Sequence, residues 1–322
     1  MPLASRICSF PEIMGEEKPQ PRFAIFLAAY NGMHYIEDQI STILHQKFVN
    51  IQIFISVDKS VDGTEIFLKK LAFAEKRIVL LPFDERFGSA ALNFYRLIRE
   101  VKLHDFDYLS FADQDDLWHP EKLWRAHCLM RKKNALGYSS NVTAFWPNGF
   151  KKQANKAQPP LNLDFMFESA GPGCTYVLHK ELAIKLQQMV IQSGNNINLV
   201  QYHDWLIYAF ARARKIKWVI DQWSSLNYRQ HQYNQIGLNF GFRSFWMRAK
   251  KILSGHGFEQ ALLISNLVDF SFSPVVQKGL LGGRFGYIWL AFHANQCRRR
   301  RLDRLWFFIA CFIFFITNKK LC

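Results

Sequence analysis

Four short apolar runs constrain the fold of this 322-residue chain more than any other feature, because three of them break off at a polar turn and the segments between them have helical character. Phe23-Ala24-Ile25-Phe26-Leu27-Ala28-Ala29 is almost wholly apolar and stops at Tyr30-Asn31-Gly32, as a strand covered on both faces stops at a turn. Over 35–46, Ile36, Ile40, Ile43 and Leu44 recur at helical spacing. A second run over 51–57 stops at Asp58, and Asp62-Gly63-Thr64 opens a helix reaching about Ala74. Residues 77–81 read as a third strand, 90–101 as a helix, and 108–112 as a fourth strand stopping at Asp113. Strands alternating with helices predict an α/β fold with right-handed crossovers and a largely parallel sheet. Such sheets bind ligands beyond the carboxyl ends of their strands, and here those ends carry Asn31, Asp58 and Asp113.

The alternation breaks at the polar stretch 151–160, and a second block holding Gly171-Pro172-Gly173 and His203-Asp204-Trp205 runs to about Gly237. Three parts are expected: a loose tail over 1–22, an α/β domain over 23–237, and a basic, aromatic helical extension over 238–322. The tail, with four prolines and Glu16-Glu17, lacks the apolar run of a signal peptide. Six widely spaced cysteines with no C-x-x-C pair suggest neither a zinc site nor a small disulfide framework, and fit a reducing cytoplasm.

Asp113-Gln114-Asp115-Asp116 is the densest chemical signal. Three carboxylates in four positions repel one another unless a counter-charge is supplied, and hard oxygen donors suit Mg²⁺ or Mn²⁺. A solvated acidic turn, with Asp116 capping the next helix, fits the same spacing. Asp58 with Asp62-Gly63-Thr64 also reads as turn chemistry, Asp204 as a cap or ion-pair residue, and His231 as a structural imidazole.

In order along the chain, the segments 27–32, 55–64, 111–118, 203–205 and 228–237 resemble family-2 glycosyltransferases of the GT-A fold. They are most similar to bacterial rhamnosyltransferase-like enzymes of surface-polysaccharide (O-antigen or capsule) synthesis. Gly88-Ser89-Ala90-Ala91-Leu92-Asn93-Phe94 and Gly171 to Thr175 fall where that group has similar segments. The resemblance implies an inverting, metal-dependent hexosyltransferase, moving rhamnose or another hexose from a dTDP- or UDP-linked donor to a saccharide or lipid-linked acceptor. It assigns the metal to Asp115, His231 and Asp113, with Asp113 also near the ribose, and the general base to Asp204. Ala29, Tyr30, Asn31, Asp58, Gly88, Ser89 and Asn93 would hold the nucleotide; Gly173, Cys174 and Trp205 would line the sugar. Two departures stand out. Val57-Asp58 replaces a pair of acids, and His203 replaces a glutamate beside the base.

Net charge is +15, and residues 236–322 hold 13 of the 41 basic but only 3 of the 26 acidic residues. The excess is local. Arg298-Arg299-Arg300-Arg301 and Arg304 flank an apolar run over 305–316, too short to span a bilayer. An interfacial helix on anionic lipid at the inner membrane face is expected, with packing on the protein or a dimer contact as alternatives. Charge concentrated beside an apolar run, without a recognisable nucleic-acid motif, argues against nucleic-acid binding. A nucleotidyltransferase would carry a Gly-rich phosphate loop with lysine after the first strand, and none is present.

Overall fold

The computed structural model describes residues 19–82, 86–231 and 254–318. Most of the expected tail and the expected boundary at 237 lie outside these residues. By its internal contacts the chain divides into two units: 1–157, 171–194 and 216–234 form the first, and 158–170, 195–215 and 235–322 the second.

The first unit opens with β1 (Arg22–Ala29), α1 (Ile36–Leu44), β2 (Asn50–Val57), α2 (Thr64–Ala74), β3 (Ile78–Leu80), α3 (Ala90–Glu100) and β4 (Tyr108–Ala112). It continues with β5 (Leu117–Trp118), α4 (Lys122–Lys133), β6 (Gly137–Phe145), β7 (Lys151–Ala154), β8 (Val177–His179), α5 (Lys180–Gln192) and β9 (Trp218–Arg229). The sheet order is β3-β2-β1-β4-β8-β6-β9-β5, with β7 added to β6. The expected parallel arrangement holds across β3-β2-β1-β4. Beyond β4 the sheet is mixed, since β8 runs antiparallel to both β4 and β6 while β9 runs parallel to β6. The polar stretch after residue 150 contains a strand after all. β7 is an exposed edge with Lys151 and Lys152, and an edge strand needs no apolar alternation.

β1 is the axis of this unit, buried over every residue after Arg22. Phe23, Ile25 and Leu27 belong to one core cluster with Ile36, Ile40 and Ile43 of α1. On the opposite face Phe26 meets Phe111, and Phe111 meets Phe94 of α3. Each such side chain contributes about 1.5–3 kcal/mol on burial, so helices on both faces are the only way to use this strand. From β1 the chain proceeds through β2 and β3 on one side and returns to β4 on the other. In open α/β sheets that reversal, beyond the carboxyl ends, is where ligands bind.

A buried ion pair fastens α4 to the far half of the sheet. Arg125 Nε donates to Asp221 Oδ2 at 2.6 Å, a second guanidinium nitrogen donates to Oδ1 at 3.1 Å, and the Tyr138 hydroxyl donates to Oδ2 at 3.0 Å.

The second unit holds α6 (His203–Ala213), α7 (His256–Leu267), α8 (Gly283–Phe292), α9 (Ala294–Cys297) and α10 (Arg301–Thr317). Its polar centre is Asp164, fully buried, which accepts from the Tyr208 hydroxyl at 2.9 Å and pairs with Arg212 and Arg299 at 3.4 Å. The arginine run is therefore not a uniform cationic patch. Arg299 is buried on Asp164 and Glu168, Arg298 donates to the Phe167 carbonyl, and Arg304 donates to the carbonyls of Arg298 and Arg299. Arg300 and Arg301 face solvent. α10 buries Phe307, Ala310, Cys311 and Phe314, with Phe307 against Phe167 and Phe314 against Tyr287. Its 17 residues extend about 25 Å. No helix among the described residues is long and apolar enough to cross a membrane.

Removing one partner of a buried pair strands the other charge, at a cost of about 3–5 kcal/mol. Asp221→Ala should lower unfolding stability by that amount in urea titrations; a loss below about 1 kcal/mol would remove the clamp from the account.

Candidate active site

Register brings the strand ends level: Ala29 pairs with Val57 and Leu27 with Ala112, so residues 30, 58 and 113 leave the sheet along one rim. Short polar side chains then bind the loops to each other. Asn31, in the left-handed region at φ 45°, donates its N–H to Ser60 Oγ at 3.0 Å and accepts the Val61 N–H on Oδ1 at 2.9 Å. Gly32 donates to Thr64 Oγ1, and Met33 to Asp62 Oδ2. Gln114 reaches back from the acidic turn, its amide accepting from Tyr30 N and donating to Tyr30 O, each at 2.8 Å. A Cβ on Gly32 would lie 2.4 Å from Gln114 Oε1, which is why a residue without one stands there.

Asp58 is buried, and its two carboxylate oxygens accept the N–H groups of Phe87 and Gly88 at 2.5 and 2.8 Å. Gly88 adopts φ 83°, and Ser89 caps α3 by accepting the Leu92 N–H. Asn93, buried one turn on, accepts from Ser56 Oγ and donates to the Ser89 carbonyl, so its side chain is used inside the fold. Tyr30 is half exposed, whereas Ala29 is buried and its carbonyl accepts the Asp58 N–H.

The acidic turn follows β4. Asp116 does not cap the next helix: it is fully buried, and α4 begins only at Lys122. Burial, reinforced by the Asp115 and Asp113 charges, pushes its carboxyl well above the usual range and so favours its neutral form. Asp113 and Asp115 stay only partly covered on the same turn. His231 Nε2 lies 2.8 Å from Asp115 Oδ2 although 116 positions separate the two residues. The His231 ring stacks on Tyr35, and the Arg229 guanidinium also lies over the Tyr35 ring. Arg229 Nε donates to the Asp115 carbonyl, and Arg229 N to Asp116 Oδ1.

Asp113, Asp116 and Cys174 bring potential ligand atoms within 4.8 Å of one another. Burial, with Asp116 and Asp113 adding to it, pushes the Cys174 thiol well up, so it stays protonated and is a poor partner for a hard cation. Beneath this cluster Lys122 is fully buried, its Nζ donating to the Cys174 carbonyl at 2.6 Å and resting over the Trp118 ring. Burial pushes its ammonium well below the ordinary range, against the pull of Cys174, Asp116 and Asp113. Of the three expected metal ligands the structure brings Asp115 and His231 into contact, while Asp113 groups with Asp116 and Cys174; carboxylate and imidazole donors of this kind are chemically compatible with Mg²⁺ or Mn²⁺.

Gly173 and Cys174 sit in a short buried 3₁₀ turn (Gly173–Thr175) of the first unit. Asp204 and Trp205 belong to the second unit, in the first turn of α6. Asp204 Oδ1 accepts the Trp205 N–H at 2.8 Å, and the Trp205 indole donates to the Phe165 carbonyl, which anchors that ring in the core. His203 Nε2 is shielded from solvent, and desolvation lowers its pKa to about 3, so the residue beside Asp204 is a neutral imidazole. Tyr35, Gln114, Lys122 and Arg229 were not singled out by their sequence pattern. Lys122 and Arg229 carried a faint signal, as single cations next to the acidic and late histidine segments.

Comparison with known proteins bears directly on this arrangement. The profile of a family described as "Glycosyltransferase like family 2" matches residues 19–145, from β1 through the acidic turn to the end of β6. A dTDP-rhamnosyl transferase of Shigella flexneri is 39% identical over 282 residues, covering 87% of this chain and 96% of its own. Among solved structures, S. aureus TarS in complex with UDP-GlcNAc superposes with a TM-score of 0.51 at 12% identity, covering 92% of each chain. A Pyrobaculum calidifontis mannosyltransferase with GDP-Man and Mn²⁺ does so at 0.51 and 14% identity, covering 98% of this chain and 93% of its own. These two likenesses bear on fold alone. With a relative this similar along nearly its whole length and a sheet of GT-A type, the chain is a member of the family-2 glycosyltransferases.

Proposed function

We propose that this glycosyltransferase is inverting and metal-dependent, moving rhamnose or another hexose from a nucleotide diphosphate-sugar to a saccharide or lipid-linked acceptor during surface-polysaccharide synthesis. The observation that carries the reading is the contact of Asp115 with His231, made at the rim where β1 and β4 diverge. dTDP-rhamnose is the leading donor, because the Shigella relative is named for it and is similar along the chain. UDP-linked sugars are the alternative.

Asp113, Asp115 and His231 would hold a divalent cation, which as a Lewis acid neutralises the diphosphate as it departs. The chain's own groups do the rest. The Asn31–Ser60 and Asp58–Gly88 bonds keep the loops at the strand ends in place around the nucleotide. Asp204 takes the proton from the acceptor hydroxyl as that oxygen attacks the anomeric carbon from the face opposite the diphosphate, inverting configuration. A second carboxylic acid is unnecessary, since a diphosphate leaves without a proton. Lys122 and Asp116 hold the acidic turn and the 173–175 turn together through the Cys174 carbonyl and the Arg229 amide. The reaction is placed at the cytoplasmic face of the membrane, where a lipid-linked acceptor would lie.

Asp115→Ala should lower kcat/KM at least about a hundredfold and weaken Mn²⁺-dependent nucleotide binding in calorimetry; unchanged Mn²⁺ dependence would remove Asp115 from the cation. Asp204→Asn should reduce transfer by about 10²–10⁴-fold with nucleotide affinity held within about twofold. Full activity in that variant would end its role as base. The base must be ionised, so activity should rise with pH on the acid limb. His203 takes a proton only at about 3, so His203→Gln should leave that limb in place; a displacement by more than about one unit would mean that His203 sets it.

A further inference from the structure

From Leu305 to Ile316 α10 is apolar around its whole circumference, yet only one stripe of it is buried. Phe307, Ala310, Cys311 and Phe314 face the second unit's core, while Leu305, Phe308, Phe312 and Ile316 repeat at three- and four-residue intervals on the outside, each at least 42% exposed. The start of α8 meets the end of α10, because Arg284 Nε donates to the Phe315 carbonyl and Phe285 packs beside Phe315. Phe312 touches Phe315 in turn and lies parallel to Phe308, so one aromatic row continues from α10 onto α8. On α8, Phe285 and Phe292 stand seven residues apart on the same face, both 76% exposed. Soluble monomers seldom leave so long an apolar row uncovered.

Exposed cations border this row. Arg300 and Arg301 stand at the N-terminal end of α10, Arg284 at its C-terminal end, and exposed Lys278 has its backbone against Gly282 and Gly286 at the start of α8. We propose that the α8–α10 face docks on an anionic lipid surface, with α10 lying in the plane of the interface. A two-fold contact with a second copy would set these four cations against their own symmetry mates, whereas anionic headgroups complement them. Insertion is shallow and parallel, because α10 is shorter than the hydrocarbon core and its inner stripe is already packed. The attraction falls to Arg300, Arg301, Arg284 and Lys278 rather than to the whole arginine run, since Arg298, Arg299 and Arg304 are engaged inside the unit. The inference deepens the reading of a membrane-face enzyme and rests on it for its biological setting, while the binding itself is independent of the reaction.

The test is co-sedimentation of the full chain with phosphatidylglycerol-containing vesicles and with phosphatidylcholine vesicles, alongside light scattering for oligomeric state. The wild type should pellet with the anionic vesicles and scarcely with the neutral ones. Phe308→Ser with Phe312→Ser should weaken binding about a hundredfold, from the lost aromatic burial. Arg300→Ala with Arg301→Ala should weaken it about tenfold or more, and added salt should erase most of the difference between wild type and this variant. Thermal melts confirm folding, and Mn²⁺-dependent binding of dTDP or UDP should be unchanged in both variants. Loss of vesicle binding with nucleotide binding intact upholds the surface whatever the fate of the catalytic reading. Wild-type protein that fails to pellet, pellets equally with both variants, or forms a dimer that the phenylalanine variant dissolves would overturn it.

Discussion

Crowding of like charge at the end of β4 is the constraint to which the rest of the first unit answers. Asp113, Asp115 and Asp116 fall within four consecutive positions on a rim walled by buried strands, where repulsion is poorly screened. Three responses reduce it. Asp116 sinks into the core, which favours its neutral form, Asp115 meets His231, and Arg229 and Lys122 approach the same turn from β9 and α4. Two carboxylates and an imidazole stay at the rim, and that residue set is suited to a hard divalent cation.

The sheet determines where this happens. β1 lies between β2 and β4, so the loops after all three emerge side by side, and hydrogen bonds from Asn31, Asp58 and Gln114 link each loop to another. Asp58 shows how structure and binding can share one residue. Its oxygens are occupied by backbone amides, so it shapes the Gly88 turn and the cap of α3, and any effect on a nucleotide passes through that turn.

The first half of the fold was legible because its strands are covered on both faces and so are written as apolar runs. β4 was expected at the residues it occupies, and α2 and α3 start where expected. β7 and β9 were not legible. β7 is an exposed edge, and β9 is long and only intermittently buried, so neither leaves a run or a clean alternation. Within the site, the acids and His231 were visible as unusual residues in an ordered series. What could not be read was burial. Nothing in the order of residues 113–116 says that the last carboxylate turns inward, that Lys122 gives its ammonium to a backbone carbonyl, or that Arg299 is spent on Asp164. Those choices depend on segments 52 to 135 residues away.

The central claim is that the acidic turn and His231 hold a cation against a nucleotide diphosphate. It is tested most directly by anomalous scattering from crystals grown with Mn²⁺ and dTDP or UDP. The account predicts a manganese peak in contact with Asp115 and the diphosphate oxygens, at the rim between β1 and β4. A nucleotide bound at that rim with no manganese on the turn, or manganese held elsewhere, would contradict it.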